Sequence, residues 1–251
     1  MPKMGLMNNV SSFTSASAGV SRSSVSVSNS YHVTFDGTDD YIQVPSTLGS
    51  VIAPGSSWSV TAWIKYDDSG SGEDAIISSG DSSSRFFIRF TNSSGRLRVT
   101  ADGGSTTKLY TSGNITEDEW NHIAIVYTYD DTNELVYYRN GSAVGSASNF
   151  NMSGAPANDN AQIGVRADTL DDYLGRIAML GVFSKALSAS EVSDIYGTPG
   201  YVLTDISDCE LWYRMGDGTE DGSGSKVYDM SGNSLLGDLQ NDAAIASGGV
   251  D

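Results

Sequence analysis

The stretch that most narrows what this chain can fold into is residues 120–147. Ile123, Ile125 and Tyr127 alternate with Ala124, Val126 and Thr128, the two-residue period of a strand, until residues 129–133 interrupt it with Asp and Asn. Residues 135–138 are β-branched or aromatic in three of four places, which predicts a second strand. Asn140-Gly141 follows, the pair that best tolerates positive φ at both centres of a type I′ turn, so a third strand is expected over residues 142–147. A meander of this kind needs a larger sheet around it, because an isolated hairpin is marginal in water.

The rest of the chain supplies that sheet. Residues 31–44 read as a core strand broken at 36–40, where Asp36, Asp39 and Asp40 crowd one turn. Trp58, Val60, Ala62 and Ile64 share one strand face while Trp63 takes the other, so both faces of this strand are expected to be buried, with Trp63 packing rather than stacking on a sugar. Residues 85–90 and 96–100 form a further hairpin. Its Arg85, Arg89, Arg96 and Arg98 lie among acidic neighbours, which predicts internal salt bridges. Lys108 begins a short edge strand. Ser188 and Glu191 have the spacing of a capping box, predicting one short helix to about Tyr196, stopped by Gly197 and Pro199.

Four of these segments carry a family resemblance. Trp120-x-His122-Ile-Ala with its Tyr-Asp turn and Asn-Gly-Ser ending, together with residues 32–44, 58–65 and 175–196, resembles laminin G-like, concanavalin A-like jelly-roll modules, in the right order over residues 31–197. The resemblance implies an all-β, two-sheet antiparallel jelly-roll sandwich with one short helix toward its C-terminal side. Three regions are expected: a Ser-rich arm over 1–30, the sandwich over 31–198 and an extension over 199–251. Residues 211–219 and 227–239 are similar to the lead-in that precedes the opening strand in many such modules. Here they come last, to pack on their own sandwich or on a neighbouring copy.

Charge and motif content exclude several function classes. The chain carries 14 Lys and Arg against 31 Asp and Glu, a net charge of −17, so a nucleic-acid backbone or an anionic membrane would be repelled. No run has signal-peptide or membrane-spanning character, and membrane insertion is not expected. Cys209 is the single cysteine, which rules out an internal disulfide and suggests a buried small hydrophobe. Glycan cleavage in this fold would call for paired carboxylates on one strand, such as Glu-x-Asp-x-Glu, and none occurs. His32 and His122 are the only histidines, too few for a zinc or Ser-His-Asp constellation, so no catalytic residue is assigned and no enzyme is expected.

Calcium is the one cofactor the sequence raises. A hard cation takes six to eight oxygens, typically from Asp, Asn and carbonyls on loops. Asp229 with Asn233 is one candidate set, and Asp168 with Asp171 and Asp172 is the other. Asx turns that satisfy their own backbone are the competing reading. The acidic pair that the family carries after Gly-x-Ile is here Ala178-Met179.

The function expected is non-enzymatic. The pattern of Ser-rich arm, sandwich and extension is similar to virion proteins of marine tailed bacteriophages. That similarity implies a structural or display protein of a bacteriophage: a head decoration, a fibre or a tail adhesin. Its arm would contact other virion proteins and its sandwich a host glycan. It would assemble in the host cytoplasm, as a homo-oligomer, and be exposed on the particle. The alternative is a carbohydrate-binding module of a bacterial extracellular or surface protein.

Overall fold

The computed structural model describes residues 29–45, 48–67, 73–80, 85–91, 95–101, 106–109, 115–156, 161–166, 171–198, 201–215 and 222–250. Residues 1–28 of the expected arm, and Asp168, lie outside them. The period-two stretches become β1 (Asn29–Asp36), β2 (Tyr41–Val44), β3 (Trp58–Tyr66), β4 (Glu73–Ser79), β5 (Phe86–Thr91), β6 (Arg96–Ala101) and β7 (Thr106–Leu109). A single helical turn, α1 (Leu48–Val51), precedes β3. The meander is β8 (Asn121–Thr128), β9 (Glu134–Arg139) and β10 (Ser142–Ala147), joined by Asn140 and Gly141 at φ 48° and 74°. Then come β11 (Ala161–Ile163), β12 (Leu174–Phe183) and α2 (Ala189–Gly197). The last segment contributes β13 (Cys209–Tyr213), β14 (Gly222–Ser223), β15 (Lys226–Val227), β16 (Gly237–Gln240) and β17 (Ala244–Val250).

Every pairing among the described residues is antiparallel. One sheet runs β10-β9-β8-β3-β12-β1-β17, with β13 also on β12; the other runs β14-β15-β16-β2-β11-β4-β5-β6-β7. The two pack face to face as a jelly-roll sandwich. β12 borders β3 along one side, while its other side is shared by β1 at Leu174 to Ile177 and β13 at Leu180 to Phe183. A register shift between Ala178 and Gly181, with Met179 at φ 47°, separates the two halves.

Apolar residues at alternate positions fill the space between the sheets. Trp58 is fully buried, with the rings of Phe86 at 5.2 Å and Tyr127 at 5.4 Å, an aromatic cluster that ties the first sheet to the second. The outer face of β3 is buried too. Trp63 stacks on Tyr196 of α2 with centroids 5.6 Å apart and lies beside His122. Val192 and Ile195 of α2 pack on Ala124, Val126 and Tyr138, which covers the outer face of β8. The capping box is formed, with Ser188 and Glu191 each accepting from the other's backbone amide, and the helix ends one residue later than expected, at Gly197. Burial drives His122 down to about 3, so its ring is neutral; its Nε2 lies 2.6 Å from the Thr61 hydroxyl.

The extension adds strands to both sheets of its own chain. β13 sits on β12, β16 on β2 and β17 on β1. The extension and the sandwich share one core, since Leu211, Tyr213, Val227 and Leu239 lie in the same buried cluster as Trp58.

Candidate functional site

The β1–β2 turn is shaped by its own carboxylates. Asp36 Oδ1 accepts from the Thr38 amide at 2.8 Å, and Asp40 Oδ2 accepts from the Asp36 amide at 2.9 Å. Asp40 is 2% exposed and also accepts, through Oδ1, from the Asp242 amide at 2.8 Å. Burial raises its pKa above the ordinary carboxylate value, opposed by the amides it accepts from. Asn241 Nδ2 donates to the Asp39 carbonyl at 2.5 Å. The turn after β16 is thereby fastened to the turn before β2, as the Gln240–Tyr41 register requires.

A third segment completes a rim. Residues 164–166, after β11, and 171–173, before β12, are held by Ser78 Oγ donating to the Val165 carbonyl and by the Tyr173 amide donating to the Gly164 carbonyl, each at 2.8 Å. The three segments enclose a pocket of about 250 Å³ lined by Thr38, Asp39, Tyr41, Val165, Asp172 and Asn241. Asp36, Asp39 and Asp40 bring one carboxylate oxygen each within 4.8 Å of one another beside it. Asp172 is pushed up to about 6, by burial first and then by the negative charges of Asp39 and Asp171.

The residues singled out from sequence fall in two places among the described residues, Asp171 and Asp172 before β12 and Asp229 and Asn233 after β15. Asp171 and Asp172 are neighbours with opposite roles. Asp171 Oδ2 takes Arg89 at 2.5 Å and Arg166 at 2.6 Å, so this carboxylate is neutralised by guanidinium groups. Glu73 bridges Arg89 and Arg98, which face each other across β5 and β6, relieving a like-charge pair; this is the internal network the sequence suggested. Phe87 lies beneath, with the Arg89 guanidinium 4.6 Å from its ring centre. Among the described residues of this set, Asp172 lines the rim pocket and Asp171 does not.

Asp229 and Asn233 sit elsewhere, in the turn after β15. Asp229 Oδ1 accepts from the amides of Trp212 at 3.0 Å and Ser231 at 2.9 Å, and its Oδ2 accepts from the Leu235 amide at 3.1 Å and the Ser231 hydroxyl at 2.8 Å. Four donors occupy the lone pairs a cation would need, so this carboxylate holds a turn against β13. Asn233 donates to the Glu210 carbonyl at 3.0 Å and lines a separate cavity of about 280 Å³ with Leu48, Ser50, Val51, Glu210 and Leu235. Cys209 is half-buried rather than buried, and burial pushes its thiol up to about 12.

Four polar or aromatic rim residues were not singled out as ligand groups from sequence: Thr38, Asp39, Tyr41 and Asn241. The crowding of Asp36, Asp39 and Asp40 in one turn was the available signal for Asp39. Nothing local marks Asn241, which reaches the rim only through the β16–β2 pairing.

Comparison with known proteins bears on the fold. A family model described as the concanavalin A-like lectin/glucanases superfamily, of laminin G type, matches residues 36–193. A Bacteroides ovatus protein described as carbohydrate-binding is 18% identical with a TM-score of 0.68, over 88% of this chain and 60% of that one, so the chain spans less than two thirds of that protein. The heptameric SAP-like pentraxin of Limulus polyphemus is 19% identical with a TM-score of 0.53, over 67% of this chain and 82% of the pentraxin. The CBM40 of a Ruminococcus gnavus sialidase is 17% identical with a TM-score of 0.53, over 68% of this chain and the whole of the module. A search of curated proteins found no match. The likeness to these structures is one of fold, and because the family match spans more than half of the residues, the chain belongs to the concanavalin A-like lectin/glucanase superfamily.

Proposed function

We propose that the chain is a non-catalytic carbohydrate-binding module whose site is the rim pocket. One observation carries this reading: a cavity of about 250 Å³ lined by an aromatic residue, Tyr41, together with Thr38, Asp39, Asp172 and Asn241. A sugar presents an apolar C–H face and a ring of hydroxyls, which an aromatic wall and converging carboxylate and amide groups match. The size suits one sugar unit, since it lies below the range typical of drug-sized ligands. The lining has two carboxylates and no Lys or Arg among the described residues, so a neutral glycan is the expected class. Solved structures of similar fold include a protein described as carbohydrate-binding and a sialidase CBM40. A glycan array followed by calorimetry on the best binder tests the idea. Tyr41→Ala should weaken binding about tenfold, the loss of a stacking contact of about 1–1.5 kcal/mol. Unchanged affinity in Tyr41→Ala and Asp39→Ala would move the site elsewhere.

The setting we propose is the surface of a bacteriophage particle, with residues 1–30 attaching the module to other virion proteins and the rim facing a host glycan. The arm's composition supports it: Lys3 and Arg22 are its only charged residues. Mass spectrometry of purified particles tests it: absence from them would sink the virion setting and leave a carbohydrate-binding module of a bacterial extracellular or surface protein as the case to test. Calcium, if it acts on this module, belongs on our reading at the rim with Asp172 rather than at Asp229.

One observation favours a second reading, glycan hydrolysis. Asp172, pushed up to about 6 by burial first, has the raised pKa of a general acid, and Asp39 lines the same pocket. Turnover of a polysaccharide by the native chain, lost in Asp172→Asn, would establish it. Binding without turnover leaves the module reading in place.

A further inference from the structure

The cavity of about 280 Å³ lies at the end of the sandwich opposite the rim. Its place follows from the strand directions. β1 ends and β2 begins at the rim, so α1, which follows β2, is carried to the far end with Leu48, Ser50 and Val51. β13 lies on the same side of β12 as β1 but beyond the register shift, and it sets Glu210 at that end. The turn held by Asp229 adds Asn233 and Leu235.

Wall and polar groups both differ from those of the rim. Leu48 and Val51 are buried and Leu235 partly so, an aliphatic wall with no aromatic ring among the described lining residues. Such a wall covers a methylene stem but offers a sugar no π face. The polar atoms left open are acceptors. Glu210 Oε1 accepts from the Ser184 hydroxyl at 2.6 Å, while its Oε2 has no donor among the described residues. Asn233 donates through Nδ2 to the Glu210 carbonyl at 3.0 Å, which leaves Oδ1 to accept. No Lys or Arg lines the cavity among the described residues, so an anion would meet Glu210 uncompensated. A wholly apolar ligand would strip water from the carboxylate and replace it with nothing.

We propose that this cavity is a second binding site, for a primary ammonium on a short apolar stem. The ammonium sits between Glu210 and Asn233 Oδ1, and the stem runs along Leu48, Val51 and Leu235. An ammonium has three donors and no acceptor, so it satisfies both oxygens and keeps a donor for water. The net charge of −17 draws a cation toward the chain from any side. A free amine and a lysine side chain present the same chemistry here. The chain carries one such lysine in its arm: Lys3, the only cation of residues 1–21, stands among Met1, Pro2, Met4, Leu6 and Met7. The arm leads into β1, which begins at the cavity's end of the sandwich. The site is independent of the rim and of any glycan there.

Methyl spectra of the full chain titrated with n-butylammonium, a lysine side chain without its backbone, test the proposal, with n-butanol as the neutral control. The expected result is saturable shifts at the methyls of Leu48, Val51 and Leu235, in the millimolar range that suits so small a ligand. Butanol should bind about tenfold more weakly or worse, for want of a charge-assisted contact. Glu210→Gln keeps an acceptor for Ser184, so it should keep the melting midpoint and any glycan binding at the rim while butylammonium weakens about tenfold. Should that variant fail to fold, the comparison with butanol on the native chain still decides. Shifts that miss these three methyls, as attraction to the overall negative charge would give, overturn the proposal. So does butanol that binds as well as butylammonium. Lys3→Met separates the two sources of the ammonium. A gain of about threefold or more in butylammonium affinity makes Lys3 the resident of the site, and unchanged affinity makes the ligand an amine from outside the chain; either result requires the saturable shifts first.

Discussion

Replacing Asp229 with Ala tests whether this carboxylate holds a turn or a metal. The change removes the acceptor of three backbone amides, those of Trp212, Ser231 and Leu235, and of the Ser231 hydroxyl. A hydrogen bond to a charged acceptor contributes about 1.5–3 kcal/mol, but these groups are part-buried and water recovers some of that. With about 1 kcal/mol for each orphaned amide, the loss is about 3 kcal/mol. At about 2–4 °C per kcal/mol for a domain of this size, the melting midpoint should fall by about 6–12 °C. Asp229→Asn keeps one acceptor oxygen and should lose less than half as much. Scanning calorimetry with chelator and with calcium separates the two roles: the turn reading expects the same drop in both. A variant that melts with the native chain under chelator, yet lacks a calcium-induced rise the native chain shows, would refute the turn and make Asp229 a ligand.

Asp172→Asn should stabilise the fold in a pH-dependent way. Because the native Asp172 titrates at about 6 against an ordinary 3.8, the folded state holds more protons in that window and stability falls as pH rises through it. Asn escapes this loss, so melting at about pH 8 should rise by about 2–4 °C, after discounting a side chain still open to solvent to about 1 kcal/mol. At about pH 4 the gain should vanish; an equal gain at both pH values would show that charge is not the cause. Trp58→Ala should cost about 3–5 kcal/mol in chemical denaturation, since it empties the space between Phe86 and Tyr127, and a cost under about 1 kcal/mol would mean the sheets do not pack through it. Gly164→Ala should lower the melting midpoint and weaken glycan binding together. Its φ is +91° and a methyl there would collide with the Phe35 ring, displacing the segment that carries Val165 and Asp172; unchanged binding would place the ligand away from this rim.

Where a signal is local, the sequence was enough. The alternation in residues 123–128, the Asn140-Gly141 turn and the Ser188–Glu191 box each depend on neighbours within a few positions, and each appears in the structure. Trp63 belongs to this group as well, because two apolar faces on one strand demand two covering layers, and α2 with Tyr196 is part of the second. The rim was harder to read. Asn241 meets Asp39 across 202 positions, and no local pattern in either turn names the other. At Asp229 the sequence left a cation site and an Asx turn both open. Asp, Gly and Asn in one short loop fit either, and a further donor to the carboxylate, the Trp212 amide, lies 17 residues earlier and becomes visible only once β13 is docked on β12. Carboxylates go to whichever donors or cations tertiary structure brings, and local spacing does not rank them.

The pairing of Asn29 with Val250 has a mechanical consequence. Whatever precedes β1 and whatever follows β17 leaves the sandwich at one corner, so the module can sit in a loop of a larger protein as a bead on a closed stem. Tension between those two points pulls the β1–β17 ladder apart sideways, at its end, breaking its rungs one after another because antiparallel hydrogen bonds lie across the strands. Tension between residue 29 and the opposite end of the sandwich would instead load the β1–β12 and β1–β17 rungs together, in shear. The same module is therefore weak in one direction of pull and strong in another, and its point of tethering decides which.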